Sequence, residues 1–243
     1  MSKFTEYLEG SNKKTTFDMT HDLDIMYRFN NKVSYFKSLA ANIYYQRGVW
    51  EFFQIIFYGI KSIFHKMKDP YDTFNEMLLS DNLFIRKILF LMSGGNSKFD
   101  NLYDIHHPYI KKIIELAKNK GYKIGIHPSY NAGFDEEMYI RELKLLEQIT
   151  EMKIDQNRQH WLRYDWRFTP IIWGKNGVKN DFTIGYNQHI GFRCGTGFPY
   201  FMYDFKNEKK YDWQEIPLVI MDSSVKHFVR KNGGSIRTVV LLF

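Results

Sequence analysis

The chain has 243 residues, is 44% hydrophobic and 18% aromatic, and carries a formal net charge of +7, which is enough for one core and leaves no Pro/Ser/Gly-rich linker to divide it, so a single domain over residues 1–243 is expected. One cysteine, Cys194, excludes an intramolecular disulfide, and with a polar N-terminus lacking an apolar signal region it points to a reducing, cytoplasmic location. The positive charge permits anionic partners, but the densest basic run, Lys206 to Lys210, is broken by Asn207 and Glu208, so it reads as a solvated turn and no specific nucleic-acid binding is expected.

Residues 1–14 read as a lead-in. Strand one runs from Thr16 to Met19 and feeds His21-Asp22-Leu23-Asp24. On an extended backbone Asp22 and Asp24 share a face, where two crowded carboxylates call for a shifted pKa or a bound cation. Residues 25–68 form an insertion with helical periodicity, its apolar positions including Phe36, Ile43, Trp50, Phe53, Phe57 and Ile60. It is either packed on the domain or laid on a membrane surface as a peripheral contact. The stretch from Trp50 to Phe64 contains Glu51, Gln54 and Lys61 and is too short and polar to be a transmembrane span.

Asp69 to Thr73 reads as a turn and helix start, and Arg86 to Met92 as a buried strand ending in the loop Ser93-Gly94-Gly95-Asn96. Pro108 to Lys120 has the spacing of an amphipathic helix, with Ile110, Ile113, Ile114 and Ala117 inward and Gly121 as its C-cap. The strand Ile124 to His127 delivers His127, Pro128, Ser129, Tyr130 and Asn131 at its C-terminal end. A helix is expected over Asp135 to Lys153 with Leu143, Leu146, Ile149 and Met152 on one side, then strands over Arg158–Leu162, Phe182–Tyr186, Ile216–Met221 and Arg237–Phe243. The alternation of strand and helix argues for a parallel α/β sheet with its working residues at the C-terminal ends of the strands. A neutral imidazole beside the two aspartates would complete a divalent site of the zinc type.

Seven segments, in order, carry a resemblance. They are Thr20-His21-Asp22-Leu23-Asp24, Phe90 to Gly95, Ile124 to Asn131, Arg158 to Arg163, Asp181 to Tyr186, Gly191 to Thr196 and Glu215 to Asp222. Together they resemble the polysaccharide deacetylases of the NodB-homology group, carbohydrate esterase family 4, of the Thr-His-Asp-x-Asp type. The resemblance implies a distorted (β/α) barrel, here with a helical insertion after the first strand. It also implies metal-dependent removal of N- or O-linked acetyl groups from a carbohydrate substrate, with a place in surface-polysaccharide synthesis.

Residue by residue, Asp22 matches the general base and Arg158 the arginine that orients it. Asp24 matches a ligand to a divalent ion, expected to be Zn, and His127 the first histidine of the family's histidine motif. Where that motif places a second histidine this chain has Asn131, a poorer Zn ligand than imidazole, and His160 is the alternative source of the missing nitrogen. Tyr130, Arg193 and Asp222 are the expected substrate contacts. The family's further histidine on the last strand would follow Leu241-Leu242-Phe243, so the domain is expected to lack its C-terminal end. Asn131 and that missing histidine favour the alternative reading, a catalytically impaired sugar-binding relative.

Overall fold

The computed structural model describes residues 17–24, 26, 36, 39–41, 43–44, 48–63, 74–78, 86–100, 103–186, 191–218 and 237–242. Its strands are β1 (Phe17–Leu23), β2 (Arg86–Leu91), β3 (Lys123–Ile126), β4 (Gln156–Asn157), β5 (Asn180–Asp181), β6 (Tyr200–Asp204), β7 (Lys209–Glu215) and β8 (Arg237–Leu242). Its helices are α1 (Val49–Ile63), α2 (Phe74–Met77), α3 (Pro108–Asn119), α4 (Glu136–Thr150) and α5 (Thr169–Lys175), with a 3-10 turn at His160–Leu162.

The strands make one sheet in the order β6-β7-β5-β4-β3-β2-β1-β8. From β1 through β5 to β7 every pairing is parallel, while β8 runs antiparallel to β1 and β6 antiparallel to β7. The order of β1 to β5 never reverses. Right-handed crossovers along such a sheet place their helices on one face. Accordingly α3, α4 and α5 all contribute to one core with Leu89 and Leu91 of β2 and Ile124 and Ile126 of β3.

Alternate residues of a strand face opposite ways. Ile88 and Phe90 therefore leave that core and join Leu162, Phe182, Ile216 and Leu218 on the other face. Asp18, Thr20 and Asp22 share this face by register, opposite Arg86, Ile88 and Phe90. Gly125 is matched to Phe90, and a Cβ there would come within 2.5 Å of the phenyl ring. Close approach, rather than backbone freedom, is what calls for glycine at this point.

The sheet is curled toward that second face. Arg158, one residue beyond β4, donates from Nη1 to Asp22 Oδ1 of β1 at 2.8 Å. Along a flat sheet three strand spacings, about 14 Å, would separate them, more than the two side chains can bridge. The described pairings establish a curled, mostly parallel α/β sheet. They do not include a bond between β6 and β8 that would close it.

Several boundaries differ from those read in the sequence. Strand β4 stops at Asn157, and Arg158–Leu162 is not a strand, because Trp161 and Leu162 have positive φ (61° and 51°) and turn the chain. Phe182–Tyr186 is irregular: Thr183 donates from N and Oγ1 to the Asp181 carboxylate, a local bond that replaces ladder pairing. The last parallel strand is Lys209–Glu215, ahead of the apolar run at Ile216, and it forms a hairpin with β6 that the sequence did not suggest. Met152 is exposed, because α4 ends at Thr150 with Glu151 in the left-handed region. Residues 69–73 and 219–221 lie outside the described residues.

The two long crossover helices are capped by side chains at their starts. Asp135 accepts from Met138 N at the start of α4. His107 Nδ1 accepts from Tyr109 N at the start of α3, and Gly121 follows that helix with φ of 76°. Strand β8 pairs Leu242 with Phe17 and Arg237 with Asp22. In this register its C-terminal end lies at the opposite edge of the sheet from Asp22.

His21 faces the helix-covered side of β1. It is buried, with Nε2 3.3 Å from the Tyr122 hydroxyl. Burial pushes its pKa down to about 4, with Asp22 acting against that shift and Arg158 adding to it. Folding stability should therefore be full above about pH 6.5 and fall as the pH drops toward 4, because the unfolded chain takes up a proton that folded His21 refuses. A shift of this size corresponds to about 3 kcal/mol. Urea unfolding of wild type and His21→Phe across pH 4 to 7 should show the wild type losing about that much more; parallel profiles would contradict it.

Candidate metal centre

Register sets the position of the centre. Leu23, Leu91, Ile126 and Asn157 form one row across β1 to β4. The residues that follow, Asp24, Met92, His127 and Arg158, leave the sheet together at its C-terminal edge. Beyond the ladder the β3 and β4 segments stay paired: Arg158 N donates to Ile126 O at 3.0 Å and His160 N to Pro128 O at 3.1 Å. This carries His160 level with His127. One ligand atom each from Asp24, His127 and His160 lie within 4.8 Å of one another.

The two imidazoles are held in defined tautomers. His127 Nδ1 is 2.5 Å from the Arg158 carbonyl oxygen and His160 Nε2 is 2.6 Å from that of Phe99. A carbonyl only accepts, so each of these nitrogens carries its hydrogen and donates. The remaining nitrogens, His127 Nε2 and His160 Nδ1, are 2.9 Å apart, and Asp24 Oδ1 is 3.5 and 3.6 Å from them. With both rings neutral, two lone pairs point at each other beside a carboxylate. Such an arrangement needs a proton or a cation between them. Carbonyl bonds that fix the distal nitrogen are also how metal-bound histidines are oriented.

The surrounding charges agree. Burial opposes charging His127, but the carboxylates of Asp22 and Asp24 and the Arg158 carbonyl outweigh it and raise its pKa. His160 is shifted down, by burial first and then by His127. Asp24 is partly open to solvent, whereas both histidines are buried. The donor set, two nitrogens and one carboxylate oxygen with an open side, suits a zinc-like ion that keeps a position for water or substrate.

Arg158 lies beneath this group. Fully buried, it donates from Nε to Phe182 O at 3.0 Å, from Nη1 to Asp22 Oδ1 at 2.8 Å and from Nη2 to Thr20 Oγ1 at 2.7 Å. Its guanidinium carbon is 4.6 Å from the centre of the Phe90 ring. Asp22 is thus fixed from below.

The other expected site residues divide. Asn131 is exposed, and its Oδ1 accepts from Arg163 at 3.1 Å. The Tyr130 ring is 4.5 Å from that of Phe99, whose carbonyl accepts from His160 Nε2 and from Trp161 Nε1. Arg163 stacks between Tyr130 and Phe134 at 4.2 and 4.1 Å from the ring centres. Arg193 is exposed in the turn closed by the bond from Gly195 N to Phe192 O, and no described hydrogen bond joins it to the histidines. Asp222 lies outside the described residues.

Sequence reasoning missed Thr20 as a partner of Arg158, and Phe99 and Trp161 as neighbours of His160. It also missed a second buried acid group. Asp181 and Glu215 are neighbours across β5 and β7, and each is fully buried. Burial is the main cause that raises both pKa values. Polar side chains at the ends of short strands were the available signal, but none of these positions has a spacing that marks it.

No known family model matches the chain, and no curated protein matches it. Among solved structures, a "putative polysaccharide deacetylase from Mycobacterium smegmatis" is similar at 16% identity with a TM-score of 0.40, over 81% of this chain and 56% of that one. The chain thus spans just over half of that protein's length, and a likeness of this degree assigns neither family nor activity.

Arg158→Met should destabilise the fold by about 3–5 kcal/mol, since it leaves the Asp22 carboxylate buried without its guanidinium. Asp22→Leu combined with Arg158→Met should recover much of that loss. Urea denaturation of the three proteins measures both effects; a single-variant cost below about 1 kcal/mol would show that the ion pair does not organise the sheet.

Proposed function

We propose that this chain is a divalent-metal-dependent hydrolase that removes acetyl groups from a carbohydrate. The observation that carries the reading is the pair of tautomer-fixed histidines, whose lone pairs converge with Asp24 on one point. Asp24, His127 and His160 would hold the ion, taken to be Zn. When bound there it would polarise the acetyl carbonyl and acidify a water.

The remaining work belongs to side chains. Asp22 takes the proton of the attacking water as its oxygen bonds to the carbonyl carbon. The carbon–nitrogen or carbon–oxygen bond to the sugar then breaks, and the leaving atom takes up the proton that Asp22 removed from the water. Arg158 is a positioning residue that holds Asp22 in place. Trp161 and Phe99, both exposed, and half-buried Tyr130 line the approach to His160. Aromatic faces of this kind suit the apolar face of a sugar ring. Arg193 and Asp222 are proposed as further substrate contacts.

In this proposal His160 supplies the nitrogen that Asn131 cannot, and the Asn131 amide supports Arg163. The rival reading, a sugar-binding relative without turnover, rests on Asn131. Metal analysis and acetate release separate the two. The wild type should bind one equivalent of Zn and release acetate from acetylated oligosaccharides. Asp24→Ala, His127→Ala and His160→Ala should lose the metal, while Asn131→Ala keeps it. Asp22→Asn should keep the metal and lose about 10²–10⁴-fold in rate. Zn binding without acetate release would favour the rival, and metal retained by His160→Ala would remove the ligand assignment.

A further inference from the structure

Helix α1 presents apolar side chains to solvent. Val49 is 73% exposed, Trp50 76%, Phe53 58%, Phe57 50% and Ile60 45%. At 3.6 residues per turn these five fall within an arc of about 100°. Ile55, on the other side of the helix, is buried at 2%. The helix thus buries Ile55 on one side and turns an apolar, largely aromatic stripe outward. Such a stripe calls for an explanation in a folded domain.

Charge identifies what fits it. Residues 25–68 hold seven Lys and Arg and one acid, Glu51, so this segment accounts for six of the chain's seven net positive charges. The same segment contains 12 aromatic residues. A second copy of the chain would bring a like-charged segment against this one. An anionic surface with an apolar interior satisfies both features, since aromatic and aliphatic side chains enter the boundary of headgroups and acyl chains while Lys and Arg meet the lipid charge. No helix among the described residues is long and apolar enough to cross a membrane, so the contact is with one surface.

We infer that the outward apolar stripe of α1, within a segment of strongly basic composition (residues 25–68), docks the protein on the surface of an anionic phospholipid bilayer. The proposal is independent of the metal centre. It adds a location for the protein's chemistry, at a lipid surface, without requiring that the centre be active.

Co-sedimentation of the full chain with vesicles tests it. Phosphatidylcholine vesicles containing phosphatidylglycerol should bind at least about tenfold more tightly than phosphatidylcholine alone, and high salt should weaken the binding. Trp50→Gln/Phe53→Gln/Ile60→Gln and, separately, Lys61→Gln/Lys66→Gln/Lys68→Gln should each lose about tenfold or more. A second readout does not depend on the folding of these variants: lipids with a doxyl quencher should quench the wild type's tryptophan fluorescence, and the conservative Trp50→Phe should remove most of that quenching. Equal binding by the apolar variant, no preference for anionic vesicles, or unchanged quenching in Trp50→Phe would overturn the proposal. So would concentration-dependent self-association abolished by the apolar variant in a protein that does not bind vesicles.

Discussion

The buried guanidinium of Arg158 is the constraint on which the architecture turns. Taking a charge fully out of water costs several kcal/mol unless its hydrogen bonds and counter-charge are supplied in place. Here the donors are met by groups from separate strands: Thr20 and Asp22 on β1, and the Phe182 carbonyl just past β5. The rings of Phe90 and Phe182 flank its plane. β5 is already paired with β4, so these bonds can coexist only if the sheet curls to bring β1 to the end of β4. One side chain thus couples the curvature of the sheet to the orientation of Asp22.

The same residue reaches the candidate metal centre through its backbone. The Arg158 carbonyl accepts from His127, which fixes the tautomer that turns Nε2 toward Asp24. Two residues on, the chain makes a tight 3-10 turn in which Trp161 and Leu162 adopt left-handed backbone angles. Non-glycine residues rarely accept this conformation, and where it occurs the surroundings must enforce it. Leu162 is buried in the inner apolar group, and Trp161 is tied to the Phe99 carbonyl. The local strain sets His160 in place against His127. Ion-pair orientation below and backbone geometry above converge on one small volume.

The sequence was most legible where local rules decide structure. The inward stripe of α3, its close at Gly121 and the buried run of β2 all follow from spacing and capping chemistry. The acidic end of β1 and the histidine after β3 were visible because polar residues at the end of an apolar strand are conspicuous. The association of His160 with His127 was visible only as an alternative to Asn131, because it depends on two segments remaining paired past the end of their ladder. The sequence favoured Asn131, four residues from His127, only through a family pattern, and its side chain is engaged by Arg163. The hairpin of β6 and β7 was hidden by its composition: Lys209-Lys210-Tyr211-Asp212-Trp213-Gln214-Glu215 alternates only weakly, since its outer face is solvated. Phe182–Tyr186 looked like a strand by residue type, and the Asp181 carboxylate drew its backbone away.

The central claim is that two fixed imidazoles and one carboxylate form a single cation site. The most direct measurement is anomalous diffraction at the zinc edge from crystals of the zinc-loaded protein. The account predicts one strong peak in coordinating distance of Asp24 Oδ1, His127 Nε2 and His160 Nδ1. No peak between these atoms, or a peak held by Asn131 with His160 turned away, would contradict it.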